Sequence, residues 1–253
     1  MDVPKIEVRS LWKAFGSKQV LRGVDLAVAP GESLVLLGAS GTGKSVLLKH
    51  LIGLMAPDRG SVLVDGTDLT HAPKTDWLRF RRRCGMAFQE GALFDSMNVF
   101  DNIAFPLRRH ASMTPQQVAA RVCECLATVQ LDGAGTKATG ELSGGMRRRV
   151  GFARAIALRP EVLLFDEPHS GLDPITAAVI DRVIGGMRRE MEVTLVTITH
   201  DVRAAFRIAD RIAVLRNGRI LADGPPGRIE ASADPFIRSF LAGEPYDDEG
   251  EAA

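Results

Sequence analysis

Residues Gly38–Ser45 read GASGTGKS, a match to the pattern G-x-x-x-x-G-K-[ST]. The four residues before the match, Leu34, Val35, Leu36 and Leu37, are an uninterrupted apolar run of the kind a fully buried strand needs. After it, Val46, Leu47, Leu48, Leu51 and Ile52 fall at helical spacing. Strand, glycine loop and helix is the context in which the pattern has a physical meaning. Backbone N–H groups of the loop form an anion-binding nest, and the following helix directs its positive end at the same point. Gly38, Ala39, Ser40, Gly41, Thr42, Gly43, Lys44, Ser45 and Val46 are therefore candidate contacts for a polyphosphate. Lys44 is placed at the β- and γ-phosphates and the Ser45 hydroxyl at a Mg²⁺ ion.

Around this centre the chain has 253 residues, enough for one large domain or two small ones and for a sizeable core. A 45% hydrophobic and 25% charged composition is that of a soluble globular protein. The 32 basic and 31 acidic side chains nearly cancel, so overall charge gives no support to a nucleic-acid partner. Cys84, Cys123 and Cys125 lack metal-ligand spacing. Cys123 and Cys125 sit in a helical pattern where i and i+2 point apart, so free thiols in a reducing cytosol are expected. No apolar run is long enough to span a bilayer, and MDVPKIEVRS has no signal-peptide core.

Ile6 to Leu11, Val24 to Val28 and Gly60 to Asp65 alternate like half-buried strands, which predicts an antiparallel sheet beside the strand that feeds the loop. Phe15, next to Gly16, is expected in a turn. Trp77 to Arg83 reads as a basic helix with a solvated arginine face, and Cys84 to Phe88 as a short strand ending at Gln89. Thr114-Pro115 opens a helix whose stripe is Val118, Val122, Leu126 and Val129. The middle third, about residues 90–160, shows helical periodicity and reads as an inserted helical subdomain. Val162 to Phe165 and Thr194 to Thr199 are further buried strands, separated by a helix that Asp173-Pro174 caps and that presents Ile180, Val183, Ile184 and Met187. Asn217-Gly218 between two apolar runs is a hairpin signal. The acidic tail after Gly243 lacks periodicity and is expected to be mobile.

A phosphate loop alone leaves kinases, small GTPases, helicases and transporter ATPases open. VLLFDE, Val162 to Glu167, puts two carboxylates at a strand end. There Asp166 can hold the Mg²⁺ hydration shell and Glu167 can polarise an attacking water. His200 and Gln89 also follow strands and are polar candidates for the same site. LSGGM, Leu142 to Met146, opens another helix with a Ser and two Gly, a second helix-start anion site that one nucleotide does not need from the same molecule. With the phosphate loop, Gln89, VLLFDE, the SGLD of Ser170 to Asp173 and His200 in this order, residues 6–242 resemble the ATP-binding subunit of ABC transporters.

That resemblance implies an α/β P-loop NTPase with a mixed central sheet, an N-terminal antiparallel β-subdomain and an inserted helical subdomain, which binds and hydrolyses ATP with Mg²⁺. It implies a head-to-tail homodimer with ATP between the Gly38 to Ser45 loop of one copy and Ser143, Gly144 and Gly145 of the other. In it Phe15 corresponds to the aromatic stacked on adenine, Gln89 to the residue that touches Mg²⁺ and senses the membrane partner, and Glu167 to the catalytic base. His200 corresponds to the γ-phosphate contact, Lys44 to the phosphate-binding lysine, Ser45 and Asp166 to the metal side, and Asp173 to the loop that couples the two sites. Met146 stands where many members have Gln and Gly171 where many have Ala; neither change removes a phosphate donor or a carboxylate.

FQEGALFDSMNVFDNIAFPL, Phe88 to Leu107, and DPFIRSFLAG, Asp234 to Gly243, are further similar to the ATPases of Mla-type, MCE-associated lipid transporters. Those systems move phospholipid between the membranes of diderm bacteria. This implies a peripheral subunit on the cytoplasmic face of the inner membrane, partnered by an integral-membrane permease of the MlaE type, an MCE-domain protein and a small STAS-type regulatory subunit. Two other readings are an importer subunit for a small solute and a soluble ABC protein without a permease. The second is disfavoured because the chain carries one set of motifs, no long coiled-coil insert and no basic stripe.

Overall fold

The computed structural model describes residues 3–88 and 91–246. The chain begins with β1 (Ile6–Phe15), β2 (Lys18–Val28) and β3 (Ser33–Leu37), followed by α1 (Lys44–Leu51), β4 (Arg59–Val64), β5 (Thr67–Asp68), α2 (Lys74–Arg82) and β6 (Cys84–Ala87). Three helices come next: α3 (Val99–His110), α4 (Pro115–Thr128) and α5 (Gly144–Ile156). Strands and helices then alternate as β7 (Val162–Asp166), α6 (Pro174–Met191), β8 (Thr194–Thr199), α7 (Val202–Ile208), β9 (Arg211–Arg216), β10 (Arg219–Gly224), α8 (Pro226–Glu230) and α9 (Pro235–Ala242).

Two sheets result. A four-stranded antiparallel sheet has the order β2-β1-β4-β5, and a six-stranded sheet has the order β10-β9-β3-β8-β7-β6. In the larger sheet β9, β3, β8, β7 and β6 run parallel and only β10 is antiparallel, so it is mixed, as expected. All five residues of β3 are buried, the signature of a parallel strand covered on both faces. Leu34, Leu36, Val162, Leu164, Val196 and Ile198 pack towards the antiparallel sheet and α1. The alternate residues face the other way. Leu163 and Phe165 meet α3 to α6, with Phe165 edge-on to Phe152 of α5 at 4.9 Å, while Val35 and Leu37 meet α7 to α9.

Local chemistry explains several boundaries. Thr114 and Gln117 make a reciprocal capping box at the start of α4. Asn217 and Gly218 both have positive φ, 48° and 76°, the backbone a tight two-residue hairpin between β9 and β10 requires. β1 and β2 extend further than alternation indicates. Bulges interrupt their pairing after Val8, Leu11 and Lys13, which breaks the period-two pattern without ending the ladder. Phe15 is accordingly the last residue of β1, paired with Lys18 across a two-residue turn. The helix α3 contains Pro106, which hides it from a reading of periodicity. All three cysteines are free, and burial pushes the Cys84 thiol up to about 12. No helix among the described residues is long and apolar enough to cross a membrane. Of the acidic tail, Tyr246 rests on Phe236 with ring centroids 5.5 Å apart, and residues 247–253 lie outside the described ones.

Candidate functional site

The phosphate-binding pattern lies between β3 and α1, as its residues predict. Because β8 and β9 pair with β3 on either side, the chain leaves the sheet at Gly38 from a fixed point, with the Gly38 N–H donating to the Thr199 carbonyl at 3.3 Å. Gly43, just before α1, has φ 106°, a conformation L side chains rarely adopt. A Cβ there would also stand 3.0 Å from Val20 Cγ1, so glycine lets β2 pack under the loop. Lys44 folds back along the loop. Its Nζ donates to the carbonyls of Gly38 at 2.7 Å and Ala39 at 2.9 Å. Burial pulls its pKa down, against the opposing charges of Glu167 and Asp166.

The carboxylates arrive from β7. Since β7 pairs with β8 in parallel register, Asp166 opposite Ile198, the two strand ends bring Asp166 and Glu167 beside Thr199 and His200. Glu167 Oε1 is 3.9 Å from Lys44 Nζ, and Oε2 is 2.9 Å from His200 Nδ1. Thr199 Oγ1 donates to the same Oε2 at 3.2 Å. The Glu167 backbone has φ 50°, a left-handed conformation uncommon for a non-glycine residue and frequent at functional sites. Burial, and then the charge of Glu167, raises the pKa of Asp166.

These groups border a cleft of about 490 Å³ lined by Phe15, Lys18, Val20, Ser40, Gly41, Gly43, Lys44, Ser45, Val46 and Glu167. Within this lining Phe15 is 47% exposed, and the phosphate loop and Glu167 contribute to the same wall. Lys18 and Val20 escape the sequence reading, although Gly16-Ser17 between Phe15 and Lys18 is a hairpin signal that would have extended β2 back to them. Ser45 and Asp166 supply hard oxygen donors suited to Mg²⁺. Among the described residues no group of three or more His, Cys, Asp and Glu that could hold a metal ion is assembled. Gln89 lies outside the described residues.

Ser143, Gly144, Gly145 and Asp173 do not line this cleft. Ser143 is the N-cap of α5 and accepts from the Met146 N–H at 3.2 Å, which leaves its hydroxyl proton for an acceptor. Ser143 and Gly144 are exposed. Asp173 caps α6, with Oδ1 accepting from the Ile175 and Thr176 N–H groups at 3.0 Å each. Ser143, Gly144 and Asp173 are thus exposed at helix starts while Gly145 is buried, and Asp166 and His200 adjoin the cleft beside Glu167 without being among its lining residues.

A third surface lies on the segment after β6. Phe88, Phe94 and Phe105 are each 41% exposed, and the Phe94 and Phe105 rings pack at 4.8 Å. Buried Asn102 sets the shape of this segment. It accepts from the Phe94 N–H at 2.8 Å and donates to the Asn98 carbonyl at 3.0 Å.

The family model described as ABC transporter matches residues 21–170. The chain is 43% identical over 94% of its length to the probable ribonucleotide transport ATP-binding protein mkl of Mycobacterium tuberculosis (strain ATCC 25618 / H37Rv), and it spans 66% of that relative's length. It is 39% identical, over 94% of its length and 88% of the relative's, to the intermembrane phospholipid transport system ATP-binding protein MlaF of Escherichia coli (strain K12). The fold matches the dimeric structure of MJ0796, a bacterial ABC transporter cassette, with a TM-score of 0.80 and 28% identity over 87% of this chain and 98% of that one. A dimeric post-hydrolysis state of the same cassette, bound to ADP and Pi, matches with a TM-score of 0.78 and 27% identity over the same shares, 87% and 98%.

Proposed function

The chain belongs to the ABC transporter family of ATPases, and on that premise we propose that it hydrolyses ATP to power the movement of phospholipid between the inner and outer membranes of a bacterial envelope. The observation that carries the enzymatic part is Glu167, which lines the cleft together with Lys44, 3.9 Å away, and contacts His200 Nδ1 at 2.9 Å. The phospholipid part rests on the likeness to MlaF over 94% of the chain.

In this reading the adenine lies against Phe15 and the triphosphate over the loop. Lys44 exchanges the Gly38 and Ala39 carbonyls for β- and γ-phosphate oxygens, which are stronger acceptors for an ammonium group. Ser45 and Asp166 would hold Mg²⁺, which would supply positive charge beside the phosphates and Asp166. Glu167 takes the proton of the attacking water. His200 and Thr199 hold its carboxylate at Oε2, and its left-handed backbone fixes the direction in which the side chain leaves β7. Ser143, Gly144 and Gly145 act on the nucleotide of a second copy. That role is supported by an exposed helix start whose Ser143 hydroxyl proton is available. The helices between β6 and β7 form the inserted segment, and Phe94 and Phe105 offer a permease of the MlaE type an apolar foothold. The chain then works as a homodimer on the cytoplasmic face of the inner membrane, alongside an MCE-domain protein and a STAS-type subunit.

The mycobacterial relatives carry a ribonucleotide transport name, and a ribonucleotide or another small solute is the competing cargo. The test is reconstitution of the complex, purified from detergent extracts through this chain, into vesicles loaded with labelled phospholipid. ATP-dependent loss of labelled phospholipid to an acceptor membrane is expected. ATP-dependent uptake of ribonucleotide with phospholipid left in place would replace the cargo, and extraction of the chain with no polytopic membrane protein would remove the transport role.

A further inference from the structure

Two contacts join the helix that Ser143 opens to the loop that ends at Asp173. Gly145 and Arg148 are three residues apart on α5 and so share a face. At Gly145 the approach is so close that an added Cβ would stand 2.5 Å from Thr176 Cγ2, and Thr176 itself donates its hydroxyl to Asp173 Oδ2. One turn on, Arg148 Nη2 donates to the Ser170 carbonyl at 2.8 Å. Arg148 is only 7% exposed. A guanidinium is expensive to bury, and an apolar side chain of similar volume would fill the same space without that penalty. What an apolar side chain cannot do is grip a loop carbonyl in a fixed direction, which the planar fork of arginine does.

We propose that Arg148 is a positioning residue for ATP hydrolysis, locking the Ser143 end of α5 and the Ser170 to Asp173 loop into one unit that meets the nucleotide of a second chain as a single surface. The inference rests on the two-chain pocket proposed above. Ser143 and Asp173 lie at the starts of two different helices, and without a link each would meet the partner independently, with the orientational freedom of both lost on every closure. The Arg148 and Gly145 contacts remove that freedom beforehand. Arg148 lies on the helix-start half of the molecule and lines no part of the cleft, so the link affects closure and turnover but not the filling of the chain's own phosphate loop.

The test uses the full chain with Glu167→Gln, so that ATP-driven dimers persist, and adds Arg148→Met, Arg148→Lys or Ser143→Ala. Binding of trinitrophenyl-ATP to dilute single chains reports each chain's own loop, and sedimentation with ATP reports dimerisation. Arg148→Met is expected to leave nucleotide binding within about twofold while weakening the dimer by roughly tenfold or more, the range of a hydrogen bond to a charged group. Arg148→Lys should fall between it and the parent. If Arg148→Met fails to bind nucleotide at all, Arg148→Lys decides: a weakened dimer with intact binding supports the link, and a parental dimer overturns it. Ser143→Ala separates the two levels of the argument. A parental dimer with Ser143→Ala removes the two-chain pocket itself. A lost dimer with Ser143→Ala beside parental dimers for both Arg148 variants removes only the role of Arg148.

Discussion

The phosphate-loop half of the molecule and the Ser143 half are built on opposite principles. In the first, charge is held against its preference. Lys44 is buried with its pKa pulled down, Asp166 is pushed up, and Glu167 sits on a left-handed backbone. In the second, the recognition groups are relaxed and open. Ser143 caps a helix and Gly144 is exposed, and the charge buried beneath them, on Arg148, holds the Ser170 carbonyl rather than facing a ligand. The strained half stores the chemistry, because preorganised charge is useful where charge develops in the transition state. The relaxed half is a contact surface whose hydrogen-bond donors await an acceptor. On the proposed reading neither is a complete site.

The largest effect is expected from Glu167→Gln, which removes the base and leaves every phosphate donor in place. Turnover should drop by roughly 10²- to 10⁴-fold while an ATP-bound dimer accumulates, read by single-turnover hydrolysis and sedimentation. Full hydrolysis by this variant would move the base elsewhere and break the contrast between the halves. Ser143→Ala comes next. The loss of one hydrogen bond to a charged oxygen should lower turnover by roughly tenfold to a hundredfold with nucleotide binding by the single chain unchanged. A matching loss of single-chain binding would mean that Ser143 serves its own loop.

The smallest effect concerns the frame behind the strained half, where Lys5, Asp65, Arg83 and Glu161 tie the two sheets together. The hydrogen bond from Arg83 holds Glu161 down from 4.5 to about 2, against the opposing pull of burial. A carboxylate whose folded pKa is depressed stabilises the fold above its unfolded pKa, and that contribution is lost as pH falls through the folded one. Denaturant unfolding should therefore lose stability between about pH 4.5 and 2 in the parent, and Glu161→Gln should flatten that part of the curve, modestly because the group is half exposed. An unchanged acid limb would remove Glu161 from the frame.

Much of this was legible before any coordinates. GASGTGKS, with four apolar residues ahead of it and a helical stripe behind, leaves little choice about β3 and α1. Val162 to Phe165, Thr194 to Thr199, the caps at Thr114 and Asp173, and the Asn217-Gly218 hairpin stand where their chemistry puts them. What escaped did so for physical reasons. Lys18 and Val20 enter the cleft from the start of β2, beyond Gly23, whose φ of 75° and neighbouring bulges hide the strand's alternation. The left-handed conformation of Glu167 leaves no trace in residue type. Arg148 stands between two other arginines, and only packing reveals that it is buried against the Ser170 loop.

The central claim is that ATP is cleaved only between two chains. The direct measurement is ATP turnover per chain across a dilution series of the purified protein, with the dimer fraction at each concentration fixed by sedimentation. Turnover per chain is expected to rise with the dimer fraction and to vanish where only single chains remain. A constant turnover per chain down to the monomer limit would contradict the account.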